Sequence, residues 1–193
     1  MKAVCSTSPI SIVEAPWTQP AMSDYGTMGG SSFAVSASSQ VSETGFQVFY
    51  AFRDPNLGNT TGARYGWWAN AGSTQYCTIY NPNPLKVSLI QIQNSLTDTN
   101  GAWKEWAVQG SDDGATFYTL ASGQNTTSAI GAFWDMDISS SKFYNYHRIL
   151  ISSTLTYGIP RCSRITLSAT QRTANPEPSL WAAPSESRYY ISY

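Results

Sequence analysis

From Phe33 onward, apolar and polar positions fall into a regular alternation. In FAVSAS (33–38), Phe33, Val35 and Ala37 alternate with small or polar residues, the period-two pattern of a half-buried strand. The same period recurs in QYCTIY (75–80), KVSLIQIQ (86–93), EWAVQG (105–110), TFYTL (116–120), AFWDMDI (132–138), FYNYHRILI (143–151) and SRITLSA (163–169). Gly, Pro, Asn and Asp separate these runs, so the pattern predicts short strands joined by turns. Eight of them make an all-β chain folded as an antiparallel sandwich or jelly roll. No internal repeat, Gly-rich phosphate loop or coiled-coil heptad interrupts that reading. Residues 1–30 carry Pro9, Pro16, Pro20 and the Gly29-Gly30 pair with no sustained period and are expected to form an N-terminal arm. The sandwich should span 31–169, and 170–193, rich in Pro, Ser and Tyr, should form a C-terminal arm.

Composition narrows the function classes. The 193 residues suit one domain with a core of its own. With 11 basic and 12 acidic side chains the net charge is -1, which gives no electrostatic footprint for nucleic acid or an anionic membrane. No stretch approaches the roughly 20 apolar residues that would span a bilayer, so membrane insertion is not expected. The N-terminal MKAVCSTSPISIVEAPW is too broken by Ser and Pro for an export signal. Cys5, Cys77 and Cys162 show no CxxC spacing and no histidine cluster. They read as buried free thiols, with a Cys5–Cys162 bridge left open as the alternative. Neither a metal nor another cofactor is expected.

Asp112 and Asp113 are the one adjacent pair of carboxylates that invites a catalytic reading. They sit in SDDG between two aromatic-rich strands, where Asp accepts hydrogen bonds from the following backbone and Gly114 takes positive φ. A hairpin tip supplies no concave pocket to drive two pKa values apart, so the pair builds a turn. Asp135 and Asp137 share one face of AFWDMDI opposite Trp134 and Met136 and read as a solvated face. His147, the lone histidine, reads as a packed or surface residue.

The series ASSQ (37–40), AF (51–52), GWWA (66–69), QYCTIY, IQIQN (90–94), WAVQGSDDGATFYTL (106–120 from Trp106), YNYHRILI and RITL resembles the discoidin or coagulation factor 5/8 C-type domain, a family that includes many galactose-binding modules. The resemblance covers roughly residues 30–169. It implies an eight-stranded jelly-roll β-sandwich with terminal arms, no catalysis, and a sugar or other ligand held by loops at one end. Members of the family often hold a structural Ca²⁺ between a loop after the AF segment and a Glu before the last strand. Asp54 suits such a loop, but Arg164 stands at the second position, and a cation does not ligate a cation. An Arg164–Asp54 ion pair is expected in place of the metal.

The resemblance implies that loops 56–72, 96–103 and 154–161 cluster. Sugar recognition uses flat aromatic faces and forked polar groups on vicinal hydroxyls. The candidates are Arg64, Tyr65, Trp67, Asn100, Trp103, Tyr157 and Arg161. Trp68 reads as a buried tryptophan behind the loop, and Arg148 as a structural pairing residue. The expected function is an adhesin-like carbohydrate-binding module for a cell-surface glycan, in several copies, on a phage tail or capsid appendage. That expectation places the protein on the virion, as a homo-oligomer touching other virion proteins through its arms. A purely structural decoration role and an accessory module of a glycan-degrading system are the alternatives.

Overall fold

A computed structural model describes residues 12–42, 45–53, 66–70, 72, 74–156 and 158–174. Ten strands appear there: β1 (Ile12–Trp17), β2 (Ala34–Ala37), β3 (Trp67–Trp68), β4 (Gln75–Gln93), β5 (Glu105–Ser111), β6 (Tyr118–Gln124), β7 (Phe133–Asp137), β8 (Tyr144–Ile151), β9 (Arg161–Cys162) and β10 (Arg164–Ala174). A single 3-10 turn spans Val48–Phe52. All the pairings between these strands are antiparallel, as the alternation predicts.

The long strand β4 organises the sandwich. Its first half, through Tyr80, pairs with β2 and β8, which it meets once more at Leu85↔Tyr144, and its second half, from Leu85, pairs with β10 and β7. One strand therefore belongs to both layers. The switch falls at Asn81–Pro84, where two prolines cannot donate to a ladder. Asn145 caps the freed backbone there: its Nδ2 donates to the carbonyls of Asn81 and Pro82, both at 2.9 Å. The alternation read as two strands, 75–80 and 86–93, is thus one strand with a proline corner. A second irregularity follows from the adjacent apolar pair Leu89-Ile90. Strict alternation would send one of them to solvent, and a register shift opposite Ser168/Ala169 absorbs the extra residue. Val87 and Ile90 are both buried as a result.

The terminal segments are part of the sheet where they are described. Within residues 1–30, β1 pairs with β10 from Ile12↔Ala174 to Trp17↔Ala169, and β10 runs on beyond 169 to Ala174. Gln19 continues the edge with its side chain, its Nε2 donating to Ile165 O at 3.0 Å and its Oε1 accepting from Leu167 N at 2.8 Å.

The core joins Phe33, Val35, Phe52, Ile79, Leu85, Ile90, Val108, Ile149 and Ile165 across the layers. Cys77 and Cys162 lie in it as free thiols, and burial pushes the Cys77 thiol up to about 12, so neither is poised as a nucleophile. At the β5–β6 turn, Asp113 Oδ1 accepts from Ala115 N and Thr116 N at 2.8 Å and from Ser111 Oγ at 2.9 Å. The two backbone N–H groups, then the hydroxyl, hold its carboxyl at about 2. Asp113 is turn chemistry.

His147 faces the core from β8, 1% exposed, with Nε2 unpartnered. Burial penalises the imidazolium and pushes its pKa down to about 4. Above about pH 6.5 the ring is neutral folded and unfolded and adds no pH dependence. Below that, the unfolded chain takes up a proton that the native state refuses, so stability falls until about pH 4, by about 3 kcal/mol in all. Urea unfolding at pH 7.5 and 4.5 should show most of this loss, and a His147→Gln variant should show a nearly flat profile over the same interval.

Candidate functional site

Three connections meet at one end of the sandwich. Arg161 N donates to Gly101 O at 2.9 Å, Ala69 N to Pro160 O at 3.0 Å, Leu155 N to Ala102 O at 2.8 Å, and Thr156 Oγ1 to Thr99 O at 2.8 Å. The segments 66–70, 96–103, 154–156 and 158–161 are therefore laced together, mostly by their own backbones. Two glycines permit the approach. A Cβ on Gly66, at φ +148°, would meet Cys162 O at 2.1 Å, and one on Gly101, at φ +72°, would meet Ile159 O at 2.0 Å.

The short ladder between β3 and β9 sorts the side chains. Trp67 lies opposite Cys162 and Trp68 opposite Arg161. Neighbours along a strand point to opposite faces, so Trp67 and Cys162 enter the core while Trp68 and Arg161 face the rim. Both Trp67 and Cys162 are 0% exposed, and Trp67 Nε1 donates to Ser39 O at 3.0 Å. Trp68 is half-buried. Its ring stacks on Phe46 with centroids 4.1 Å apart and planes at 25°, and the Arg161 guanidinium carbon lies 4.1 Å from the same ring. Two groups this close to one indole need its two faces, so Trp68 offers a ligand its edge.

Arg161 is the centre of the rim. Its Nη1 donates to Asp98 Oδ2 at 3.1 Å and, longer, to Oδ1 at 3.4 Å, with the two side chains 18% and 31% exposed. Asp98 is itself fixed, its Oδ1 accepting from Asn100 N at 2.9 Å in an Asx turn. The Arg161 Nε is buried without a partner, and its Nη2 donates to no described residue. The result is a planar guanidinium locked between an indole and a carboxylate, with donors left over, beside an exposed Asn100. Such a fork suits two adjacent hydroxyls: Arg161 donates and Asp98 accepts.

The sequence reading of two candidates is corrected here. Trp67 and Trp103 are both 0% exposed and form no ligand platform. They stack edge-on at 5.8 Å, and Trp103 meets Trp134 edge-on at 6.0 Å, so the three indoles close the core beneath the loops. Trp103 is held by an isolated bridge to Thr154, and its carbonyl accepts from Asn125 Nδ2. Trp68, read as the buried tryptophan, is the one at the rim. Arg161 and Asn100 are brought together; Arg64, Tyr65, Tyr157 and Asp54 lie outside the described residues, and with Asp54 so does the expected Arg164–Asp54 pair. Arg148 lies mid-strand, its guanidinium carbon 4.4 Å from the Tyr76 ring and 3.6 Å from the Phe117 ring, packed as a structural residue. Phe46 carries no sequence signal for this role, and Asp98, one of several polar groups the loops supply, stands out from the others only when Arg161 is placed beside it. Among the described residues no group of three His, Cys, Asp or Glu side chains could hold a metal ion.

No family model and no curated protein matches the chain. Solved structures do match. A module from Clostridium perfringens in complex with GalNAc-beta-1,3-galactose is 13% identical, with 70% of this chain and 94% of that one covered and a TM-score of 0.58. The family 32 module of C. perfringens NanJ in complex with galactose is 13% identical over 73% and 93%, with a TM-score of 0.54. The chain shares the β-sandwich fold of these two modules. The C-terminal domain of a chitobiase from Bacteroides fragilis matches as well, with 11% identity over 72% and 94% and a TM-score of 0.56. At such identities the likeness establishes architecture, and the rim has to be read from this chain's own side chains.

The burial pattern separates the three tryptophans experimentally. Trp67→Ala and Trp103→Ala should each lose about 3–5 kcal/mol in urea unfolding, the range for emptying a buried aromatic site, whereas Trp68→Ala should lose less than about half of that.

Proposed function

We infer that this chain is a non-catalytic glycan-binding domain whose ligand docks on the loop rim, with Arg161 and Asp98 gripping vicinal hydroxyls and Asn100 and the Trp68 edge beside them. The observation that carries the reading is the Arg161 fork, immobilised by Trp68 and Asp98 yet with donors that no described residue accepts from. Pre-set donors bind hydroxyls without paying again for side-chain ordering. The complexes of neighbouring modules with galactose and GalNAc-beta-1,3-galactose support a saccharide as the ligand class.

A single shallow site of this kind binds at about millimolar, worth about 4 kcal/mol. Useful attachment therefore needs copies, which can raise effective affinity about 10²–10⁴-fold. Our finer reading is a homo-oligomeric virion appendage attaching to host surface glycans. Its support is compositional: low charge and an aromatic-rich C-terminal segment carrying Trp181, Tyr189, Tyr190 and Tyr193, suited to docking on other virion proteins. A second reading, an accessory module of a glycan-degrading system, is favoured by neighbours that are parts of larger enzymes, such as the chitobiase domain and a module of a family 31 glycoside hydrolase.

A glycan array probed with a multivalent form of the protein tests the site. Arg161→Ala and Asp98→Asn should each weaken the best glycan signals by about 10-fold or more, the loss expected when a charge-assisted hydrogen bond is removed, with the cooperative unfolding transition retained. Unchanged signals in both variants would remove the rim from the account, and silence of the wild-type protein on every glycan would favour a purely structural role.

A further inference from the structure

A groove opens at the other end of the sandwich from the Trp68–Arg161 rim. β5 starts beside the Trp103–Thr154 bridge and ends at Ser111, and at about 3.3 Å per residue its seven residues set the two places about 20 Å apart. There the layers part, with β6 at the margin of one and the connection 139–143, which leads from β7 to β8, on the other side. Two hollows, of about 610 and 360 Å³, share Tyr118, Ser141, Lys142 and Tyr144. They adjoin and make one elongated groove, each half within the range of small-molecule sites.

The floor and the platform of the groove follow from register. Gly110 pairs with Tyr118 and, in step with Trp106 and Val108, faces the interior. With no side chain there, the Tyr144 ring lies directly against the strand: a Cβ on Gly110 would fall 2.3 Å from Tyr144 Cδ2. Tyr144 is 5% exposed and fills that space, while Tyr118, at the margin of the sheet, stays 59% exposed and offers a flat face for stacking. Polar groups surround it. Asp113 Oδ1 is taken up by the turn, whereas its neighbour Asp112 is exposed and borders the groove. Arg172 is held in place opposite, its guanidinium carbon 4.0 Å from the Phe143 ring and its Nη2 donating to Glu14 Oε1 at 2.8 Å. Lys142 and the hydroxyls of residues 139–141 complete the lining. A carboxylate acceptor and two cationic donors around one ring suit hydroxyls, which both donate and accept, whereas an anionic ligand would be repelled by Asp112.

We propose that this groove is a second binding site, for a neutral oligosaccharide of at least two units. One sugar ring stacks on Tyr118 while the next enters the adjoining hollow, and Asp112 and Lys142 bond their hydroxyls. The choice of a saccharide rests on the glycan-binding reading; the length of the groove and its mixed charge stand apart from it. Groove and rim share no residue, so each can fail without the other.

An array of neutral and acidic glycans of one, two and more units tests it, probed with a multivalent form of the full-chain Arg161→Ala variant, in which the rim is disabled. The variant should keep signals on neutral glycans of two or more units, with single sugars about 10-fold weaker because a lone ring forfeits the contacts of the second hollow. Adding Tyr118→Ala or Asp112→Asn should weaken the kept signals about 10-fold or more, the loss of an aromatic anchor or of a charge-assisted hydrogen bond, with the unfolding transition retained. Absence of any kept signal, or signals indifferent to both substitutions, overturns the groove. Kept signals confined to acidic glycans overturn the neutral assignment, and single sugars binding as well as longer ones overturn the two-unit assignment. Full binding in Arg161→Ala that Tyr118→Ala abolishes would support the groove and sink the rim.

Discussion

The rim depends on a ladder two residues long. Because Trp67 pairs with Cys162 and Trp68 with Arg161, the alternation of side chains across β3 and β9 admits one tryptophan and one thiol to the core and sends the other tryptophan and an arginine outward. A shift of one residue in that pairing would bury the guanidinium and expose the thiol. The guanidinium would then lose its carboxylate and its water together, a penalty far larger than any packing gain. The core is what prevents the slip: Trp67 closes edge-on against Trp103, its N–H is satisfied by Ser39 O, and both it and Cys162 are 0% exposed. Packing beneath the loops thus fixes the chemistry above them.

Arg161 illustrates how an ion pair of modest intrinsic worth becomes useful. A half-exposed arginine–carboxylate pair adds little stability, since each partner is otherwise well hydrated. Here the same pair acts with the Trp68 face to remove rotamer freedom from a long side chain before any ligand arrives. The cost falls on folding, in an Nε left buried without a partner. On the proposed function the return falls on binding, in donors already aimed and ordered.

Much of the architecture was legible because most of its strands are half-buried, and half-burial writes period two into the sequence. β5, with Trp106 and Val108 inward, and β7, with Met136 inward and Asp135 and Asp137 exposed, follow directly from their side chains. β1 was not legible, since five of its six residues are exposed and nothing alternates. The fusion of two read strands into β4 was hidden by the prolines at 82 and 84, which interrupt the ladder and leave the carbonyls of Asn81 and Pro82 to accept from Asn145, 63 residues or more away in sequence. At the rim, polar loop residues such as Asn100 and Arg161 announced themselves. The tryptophans did not: a Trp-Trp doublet carries no sign of which ring faces in until Cys162 is placed opposite, and Trp103 lies outside any named strand. Aromatic character alone marks interior closure and ligand platforms equally.

The most direct test of the rim is a two-dimensional NMR titration that follows the tryptophan indole N–H signals as galactose, or the strongest glycan from an array, is added. The account predicts a progressive, saturable shift of the Trp68 signal and of Arg161 side-chain resonances, with the Trp67 signal, bonded to Ser39 O, almost still. Saturable shifts that leave Trp68 and Arg161 unmoved while other indoles respond would contradict it.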